Sequence, residues 1–127
     1  MRNIEMEILI SKITGARTAL FREGEVAIKT SQDALDLISS AKFEAGCNSA
    51  IIEKACICNE FFDLSSGIAG EILQKFVNYG LRIAIVGDFE NISSSSLRAF
   101  IIESNRQGSV LFLNSQDEAV TIISHKK

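Results

Sequence analysis

The sequence predicts an α/β fold in a single domain, residues 1–127, with a mixed, mostly parallel sheet of about five to six strands and about four helices. The length suits one hydrophobic core. Strand-like and helix-like segments alternate after residue 30, which is typical of parallel strands joined by right-handed crossovers. Two mixed apolar and polar runs flank Glu23-Gly24 before that point and predict an antiparallel hairpin.

The N-terminal part supplies the predicted antiparallel strands. Residues 5–11 (EMEILIS) have the composition of a first strand, and Gly15 marks a turn. Residues 17–22 and 25–29 form the predicted hairpin around Glu23-Gly24, where a glycine can adopt positive φ. This hairpin makes the expected sheet mixed.

A first helix is expected to begin near residue 31. Ser31 is a plausible N-cap, and Asp33 falls in the first turn, where the helix dipole favours an anion. Gly46 ends the element, and residues 49–58 (SAIIEKACIC) predict the next strand. The apolar stripe of this helix comprises Ala34, Leu35, Leu37, Ile38 and Ala41.

The remaining elements alternate regularly. A second helix over residues 66–79 should stop at Gly80, and residues 81–86 (LRIAIV) are apolar enough for a central parallel strand. The serines of residues 93–96 are interpreted as a loop and N-cap for a third helix that ends at Gly108. Residues 109–113 predict the last strand, and the capping box of residues 115–118 begins a closing helix.

Composition excludes several classes of protein. Hydrophobic residues make up 46% and charged residues 23%, with a net charge of −3, so disorder is not expected and nucleic acid has no electrostatic attraction to the chain. No apolar run approaches the ~20 residues that span a bilayer, and acids interrupt the N-terminal apolar stretch. We therefore expect a cytoplasmic protein with no membrane association.

Metal binding and catalysis are not expected. Cys47, Cys56 and Cys58 should be reduced structural thiols, and with His125 in the tail they do not compose a zinc site. An enzyme using Ser65 or Ser66 as a nucleophile would need a base, and no G-x-S-x-G elbow is present. The sequence thus predicts a non-enzyme without cofactor or metal.

The stretch FFDLSSGIAGEILQKFVN contains the candidate site. Ser65, Ser66 and Gly67 stand at the start of the second helix, where free N–H groups and the dipole favour negative charge. A phosphate on either serine would add −1.5 to −2 charges there, and a bound anion could occupy the same place. Asp63 is a candidate cap for this helix.

One side of the second helix is expected to be polar and exposed. It could bind a partner, or it could be an ordinary solvated face behind a conventional cap. The opposite, buried face is predicted to contain Ile68, Ile72, Leu73 and Phe76. The polar side collects Gly67, Glu71, Gln74, Lys75 and Asn78.

Residues 63–68 (DLSSGI), between an apolar strand and an amphipathic helix, resemble the D-S-S-G-L signature of STAS domains, the anti-sigma factor antagonists and related regulatory modules. The order of elements is also similar, and the chain resembles an uncharacterised bacterial family known as a domain of unknown function. The resemblance implies phosphorylation of Ser66 by a partner kinase, with loss of binding. Leu64 stands where that signature has aspartate, and Asp63 lies one position earlier.

Two functional hypotheses follow. The first is a non-catalytic regulatory protein-interaction module whose partner is a regulatory protein, such as a serine kinase or an anti-sigma factor, with phosphorylation of Ser66 or Ser65 as the control. The alternative is a small-ligand or anion-sensing module that uses the same helix N-terminus.

Overall fold

The computed structural model describes residue 4 and residues 6–123. The predicted fold class is confirmed: the described chain forms a mixed, mostly parallel five-stranded sheet in the order β1-β2-β3-β4-β5, with four α-helices. β1 is antiparallel to β2, and the other neighbouring pairs are parallel. His125 lies outside the described residues. The strands are β1 (Glu7–Ile10), β2 (Arg17–Phe21), β3 (Ser49–Glu53), β4 (Arg82–Val86) and β5 (Val110–Leu113).

The helices are α1 (Ser31–Ile38), α2 (Ile68–Tyr79), α3 (Ser95–Gln107) and α4 (Gln116–Ile123). Their ends agree with the predicted stop signals, since Gly80 and Gly108 both adopt positive φ as C-caps. α1 continues as a π-helical segment, Ser39–Glu44. Three 3₁₀ turns precede α2: Lys54–Cys56, Asn59–Phe62 and Leu64–Ser66. None of the helices described is long and apolar enough to cross a membrane.

The prediction of a hairpin around Glu23-Gly24 is wrong. The antiparallel partner of β2 is β1, and the turn between them is closed by hydrogen bonds from Ser11 N to Ala16 O and from Gly15 N to Ser11 O, both 2.9 Å. The other side of β2 is occupied by β3, so a strand over residues 25–29 has no place beside it. That segment makes a single isolated bridge, between Ile28 and Ile57.

Two local predictions also need correction. The N-cap of α1 is Thr30 and not Ser31: the Thr30 hydroxyl accepts from Asp33 N, while the Asp33 carboxylate accepts from Thr30 N, both at 3.2 Å. The strand predicted over residues 49–58 ends at Glu53, because the chain turns into the 3₁₀ turn Lys54–Cys56, closed by Ile57 N to Lys54 O at 3.0 Å.

Alternation along the strands divides the core into two layers. One sheet face packs against α1, α2 and α3 and forms the larger cluster, with Phe21, Ile52 and Ile85 at its centre. Among the described helices, α4 packs against the other face and forms a smaller cluster. Its members are Leu20, Ile51, Ala84, Leu111, Leu113, Ala119 and Ile123.

The β5 edge of the sheet is closed by a side chain of α3. Asn105 Oδ1 accepts from the backbone N–H of Phe112 at 2.7 Å, and Asn105 Nδ2 donates to the carbonyl of the same residue at 3.1 Å. Ser104 Oγ donates to the Val110 carbonyl at 2.6 Å. These contacts occupy backbone groups that an additional strand would need, so they protect the edge from pairing.

Candidate functional site at the start of α2

The path into α2 is set by two consecutive 3₁₀ turns and a glycine. The turn Asn59–Phe62 leads to Asp63, the turn Leu64–Ser66 follows, and Gly67 is the N-cap of α2. Gly67 has φ 79°, a left-handed conformation that other residues adopt at a cost. The glycine therefore lets the chain enter α2 with the serines on the outside, where Ser65, Ser66 and Gly67 are all exposed.

The two serine hydroxyls have different surroundings. Ser66 Oγ donates to the Glu60 carbonyl at 2.8 Å and accepts from Ile68 N at 3.2 Å, so it joins the turn Asn59–Phe62 to the first residue of α2. Ser65 Oγ instead donates to Asp63 Oδ1 at 2.7 Å. Ser65 thus lies against a carboxylate, whereas Ser66 lies at the helix end.

Asp63 does not cap α2, contrary to the prediction. Its carboxylate accepts from Ser65 N at 3.2 Å and so caps the short turn Leu64–Ser66. Gly67, which has no side chain to cap with, occupies the N-cap position of α2 instead. The reason is geometric: the left-handed Gly67 separates the Asp63 turn from the helix.

The N-terminal end of α2 keeps hydrogen-bonding capacity. The first backbone bond of the helix runs from Glu71 N to Gly67 O at 3.2 Å, and Ile68 N is taken by Ser66. The described part of the chain supplies no acceptor for the N–H groups of Ala69 and Gly70. These donors add to the positive end of the helix dipole and favour an anion beside Ser66.

The polar face of α2 is exposed except at Lys75. Glu71, Gln74 and Asn78 are exposed, and Lys75 is half-buried. Gln74 Nε2 donates to Asn78 Oδ1 at 2.8 Å, which orders two of these side chains against each other. On the opposite side Ile68 is half-buried. Ile72, Leu73 and Phe76 are buried.

Exposed apolar residues that extend the polar face of α2 were not predicted from the sequence. Val77 is 53% exposed and Tyr79 46%, and the Tyr79 ring packs edge-to-face with exposed Phe43 at 6.3 Å between ring centroids. Phe43 belongs to the π-helical segment after α1. The prediction from sequence used α-helical spacing, and a π-helix has a wider turn. It therefore did not indicate that Phe43 lies beside Tyr79.

The cysteine thiols are free in the structure. Burial is the largest cause that raises the pKa of Cys56 to about 11, and its thiol lies 3.2 Å from the Arg22 carbonyl. Burial also raises the pKa of Cys47. Both thiols are therefore protonated at neutral pH. Within residue 4 and residues 6–123, no three His, Cys, Asp or Glu side chains are grouped so that they could hold a metal ion.

Comparison with protein families identifies the family of the chain. A family model described as Domain of unknown function (DUF4180) matches residues 13–123, which include every element from β2 to α4. Neither the curated proteins nor the solved structures contain a match to the chain.

Proposed function

Because the chain belongs to the family described as Domain of unknown function (DUF4180), we propose a function from the geometry of the site: a non-catalytic regulatory protein-interaction module controlled by phosphorylation of Ser66. The partner would bind the exposed face of α2. The observation that carries the proposal is the position of the Ser66 hydroxyl, which is exposed at the positive end of α2, next to that face.

The environment of Ser66 favours it over Ser65 as the acceptor. A phosphate at Ser66 would meet the available N–H groups of Ala69 and Gly70, a contribution of about 0.3–1 kcal/mol at an exposed helix end. A phosphate at Ser65 would be repelled by the Asp63 carboxylate, whose Oδ1 accepts a hydrogen bond from Ser65 Oγ at 2.7 Å. The fold would therefore tolerate phosphorylation at Ser66.

Phosphorylation would also change the surface itself. A phosphorylated Ser66 has no hydroxyl proton for the Glu60 carbonyl, so the link between Asn59–Phe62 and α2 would be broken. The added charge would lie five residues before Glu71 in the chain and would make this end of the face more acidic. Both changes act on a partner docked on α2.

The surface of α2 has the features that a protein partner needs. Polar Gln74 and Asn78 are held in place by their mutual hydrogen bond, and the exposed apolar groups of Val77, Tyr79 and Phe43 extend the face. Interfaces typically combine aromatic anchors with a polar rim. The resemblance of residues 63–68 to the STAS signature supports a serine kinase or an anti-sigma factor as the partner, acting in the cytoplasm.

The control is tested by incubating the protein with serine kinases and locating phosphate by mass spectrometry. We expect modification at Ser66 that Ser66→Ala removes and that the matched variant Ser65→Ala retains. Modification at Ser65 instead would contradict the assignment. Absence of modification at both serines, together with partner capture that Ser66→Glu leaves unchanged, would eliminate the phosphorylation control.

The unsatisfied N–H groups of Ala69 and Gly70 favour a second candidate, a small-ligand or anion-sensing module that needs no kinase. A thermal-shift screen with inorganic phosphate, nucleotides and small metabolites tests it. Stabilisation by an anion that Ser66→Glu abolishes would support this candidate, because the carboxylate would compete for the same donors. A flat response would count against it.

A further inference from the structure

A groove of about 510 Å³ opens at the carboxyl ends of β3 and β4. The groove lies outside the ends of two parallel strands, and its volume is in the range of small-molecule sites. The groove contains charged, polar and apolar groups. Its lining comprises Glu53, Lys54, Ala55, Ile57, Asn59, Phe62, Val86, Gly87 and Asp88.

Lys54 is held in this groove by aromatic rings and not by a carboxylate. Its Nζ lies 5.2 Å from the ring centroid of Phe62 and 5.2 Å from that of Phe89. Its one hydrogen bond is long, 3.4 Å to the Asp88 carbonyl, and it forms no ion pair with the described residues. The ammonium group therefore has donors available for a ligand.

Gly87 gives the lysine its path across the end of β4. A Cβ added at Gly87 would lie 2.6 Å from Lys54 Cβ and 2.9 Å from Lys54 Cδ, closer than side-chain atoms approach. The φ angle of Gly87 is not in the left-handed region, so the missing side chain provides space and not backbone freedom. The position of Lys54 thus depends on a residue 33 places further along the chain.

Two carboxylates of opposite charge to Lys54 also line the groove. Glu53 Oε1 accepts from Glu23 N at 2.6 Å, and Asp88 Oδ1 accepts from Glu90 N at 3.0 Å. Within the described residues the second oxygen of each group makes no hydrogen bond or ion pair, although Glu53 also interacts electrostatically with Arg22. The groove therefore presents one positive and two negative groups, each with bonding capacity to spare.

We propose that this groove binds a small zwitterion with an apolar body, the chemistry of a free apolar α-amino acid. The ligand carboxylate would pair with Lys54, its ammonium group with Asp88 and Glu53, and its body would lie on Phe62, Ile57 and Val86. The two acids outnumber the lysine, so the groove would repel a simple anion, and a simple cation would leave Lys54 without a partner. The lining does not include Ser66, and the proposal does not depend on the proposed function.

Three probes that share a phenyl body separate the two charge contacts. Free phenylalanine carries both charges, 3-phenylpropionate carries the carboxylate alone, and phenethylamine carries the ammonium group alone. Titrations followed by ¹H–¹⁵N NMR should show saturable shifts of the Lys54, Phe62 and Gly87 amides with phenylalanine. We expect each singly charged probe to bind at least about tenfold more weakly, since a charge-assisted hydrogen bond is lost.

Variants assign the contacts. Lys54→Met and Lys54→Gln should weaken the binding of phenylalanine at least about tenfold. Phenylalanine should then bind no more tightly than phenethylamine. Asp88→Asn should reduce the difference in affinity between phenylalanine and 3-phenylpropionate. Gly87→Ala should weaken binding as Lys54→Met does, because the added methyl group would displace the lysine. Lys12→Met, an exposed lysine in the turn between β1 and β2, is the matched control and should leave binding unchanged.

Each alternative result would overturn the proposal. Equal binding of phenylalanine and 3-phenylpropionate would show that the ligand ammonium group makes no contact. Equal binding of phenylalanine by wild type and both Lys54 variants would show that Lys54 does not bind the ligand. Shifts that appear at Ala69 and Gly70 instead would locate the ligand at the start of α2. No saturable shift in the groove with any of the three probes would refute it altogether.

Discussion

The Asn105 side chain closes the β5 edge of the sheet, and its removal should have a measurable cost. Asn105→Ala deletes the two hydrogen bonds to Phe112, at 2.7 and 3.1 Å. At about 0.5–1.5 kcal/mol for each bond, the loss is about 1–3 kcal/mol of unfolding free energy. Because both bonds are part-buried, water replaces them incompletely, which favours the upper half of that range.

A matched variant isolates this contribution. Asn78→Ala also replaces a helical asparagine, and its hydrogen bond to Gln74 is exposed, worth about 0.2–0.5 kcal/mol. The gain in helix propensity is similar at both positions, so it cancels in the comparison. Urea denaturation should therefore show Asn105→Ala to be less stable than Asn78→Ala by about 1.5–3 kcal/mol, with equal m-values.

The same variant should affect association. Asn105→Ala frees the backbone N–H and C=O of Phe112 at the sheet edge, which can then pair with another chain. Size-exclusion chromatography should show concentration-dependent association of Asn105→Ala. The Asn78→Ala variant should not show this association. Equal stability of the two variants, within about 0.5 kcal/mol, would refute the account of the closed edge.

Other predictions concern a thiol, two glycines and Ser66. Burial raises the pKa of Cys56 from 9.0 to about 11, so the unfolded chain loses this proton first. The unfolding free energy should then fall by about 2–3 kcal/mol as the pH rises through that interval, and urea titrations of Cys56→Ala should show a smaller fall. Gly70→Ala, whose added Cβ meets nothing within 4 Å, should stabilise α2 by about 0.5–1 kcal/mol, whereas Gly87→Ala should destabilise the protein in the same assay. A neutral Gly87→Ala would contradict the packing of Lys54 across β4. Ser66→Glu should change the unfolding free energy by less than about 1 kcal/mol in thermal or urea denaturation, and a larger loss would mean that the fold does not tolerate charge there.

Features that depend on residues close together in the chain were predictable from the sequence. Gly80 and Gly108 end their helices as expected, and the serines of residues 93–96 supply Ser94, whose side chain accepts from Leu97 N. These signals work because a cap depends on residues within one turn of the helix end. The alternation of apolar strands and amphipathic helices likewise predicted the parallel part of the sheet.

Features that depend on distant partners were not predictable. Two segments flank β2, and only the tertiary structure decides that β1 takes the antiparallel position and residues 25–29 do not. The capping role of Asp63 was misassigned because the left-handed Gly67 interrupts the helix start. The groove around Lys54 needs Phe62, Gly87 and Phe89 to converge, and no spacing along the chain reveals that.

The proposed function requires that a partner binds the exposed face of α2 and that charge at Ser66 controls this binding. The most direct measurement is photo-cross-linking in cells from a cross-linker placed at position 74, on that face. We expect one defined cross-linked partner with wild type and Ser66→Ala, and its loss with Ser66→Glu but not with Ser65→Ala. The same cross-linked partner at equal yield with Ser66→Glu, or no partner with any variant, would contradict it.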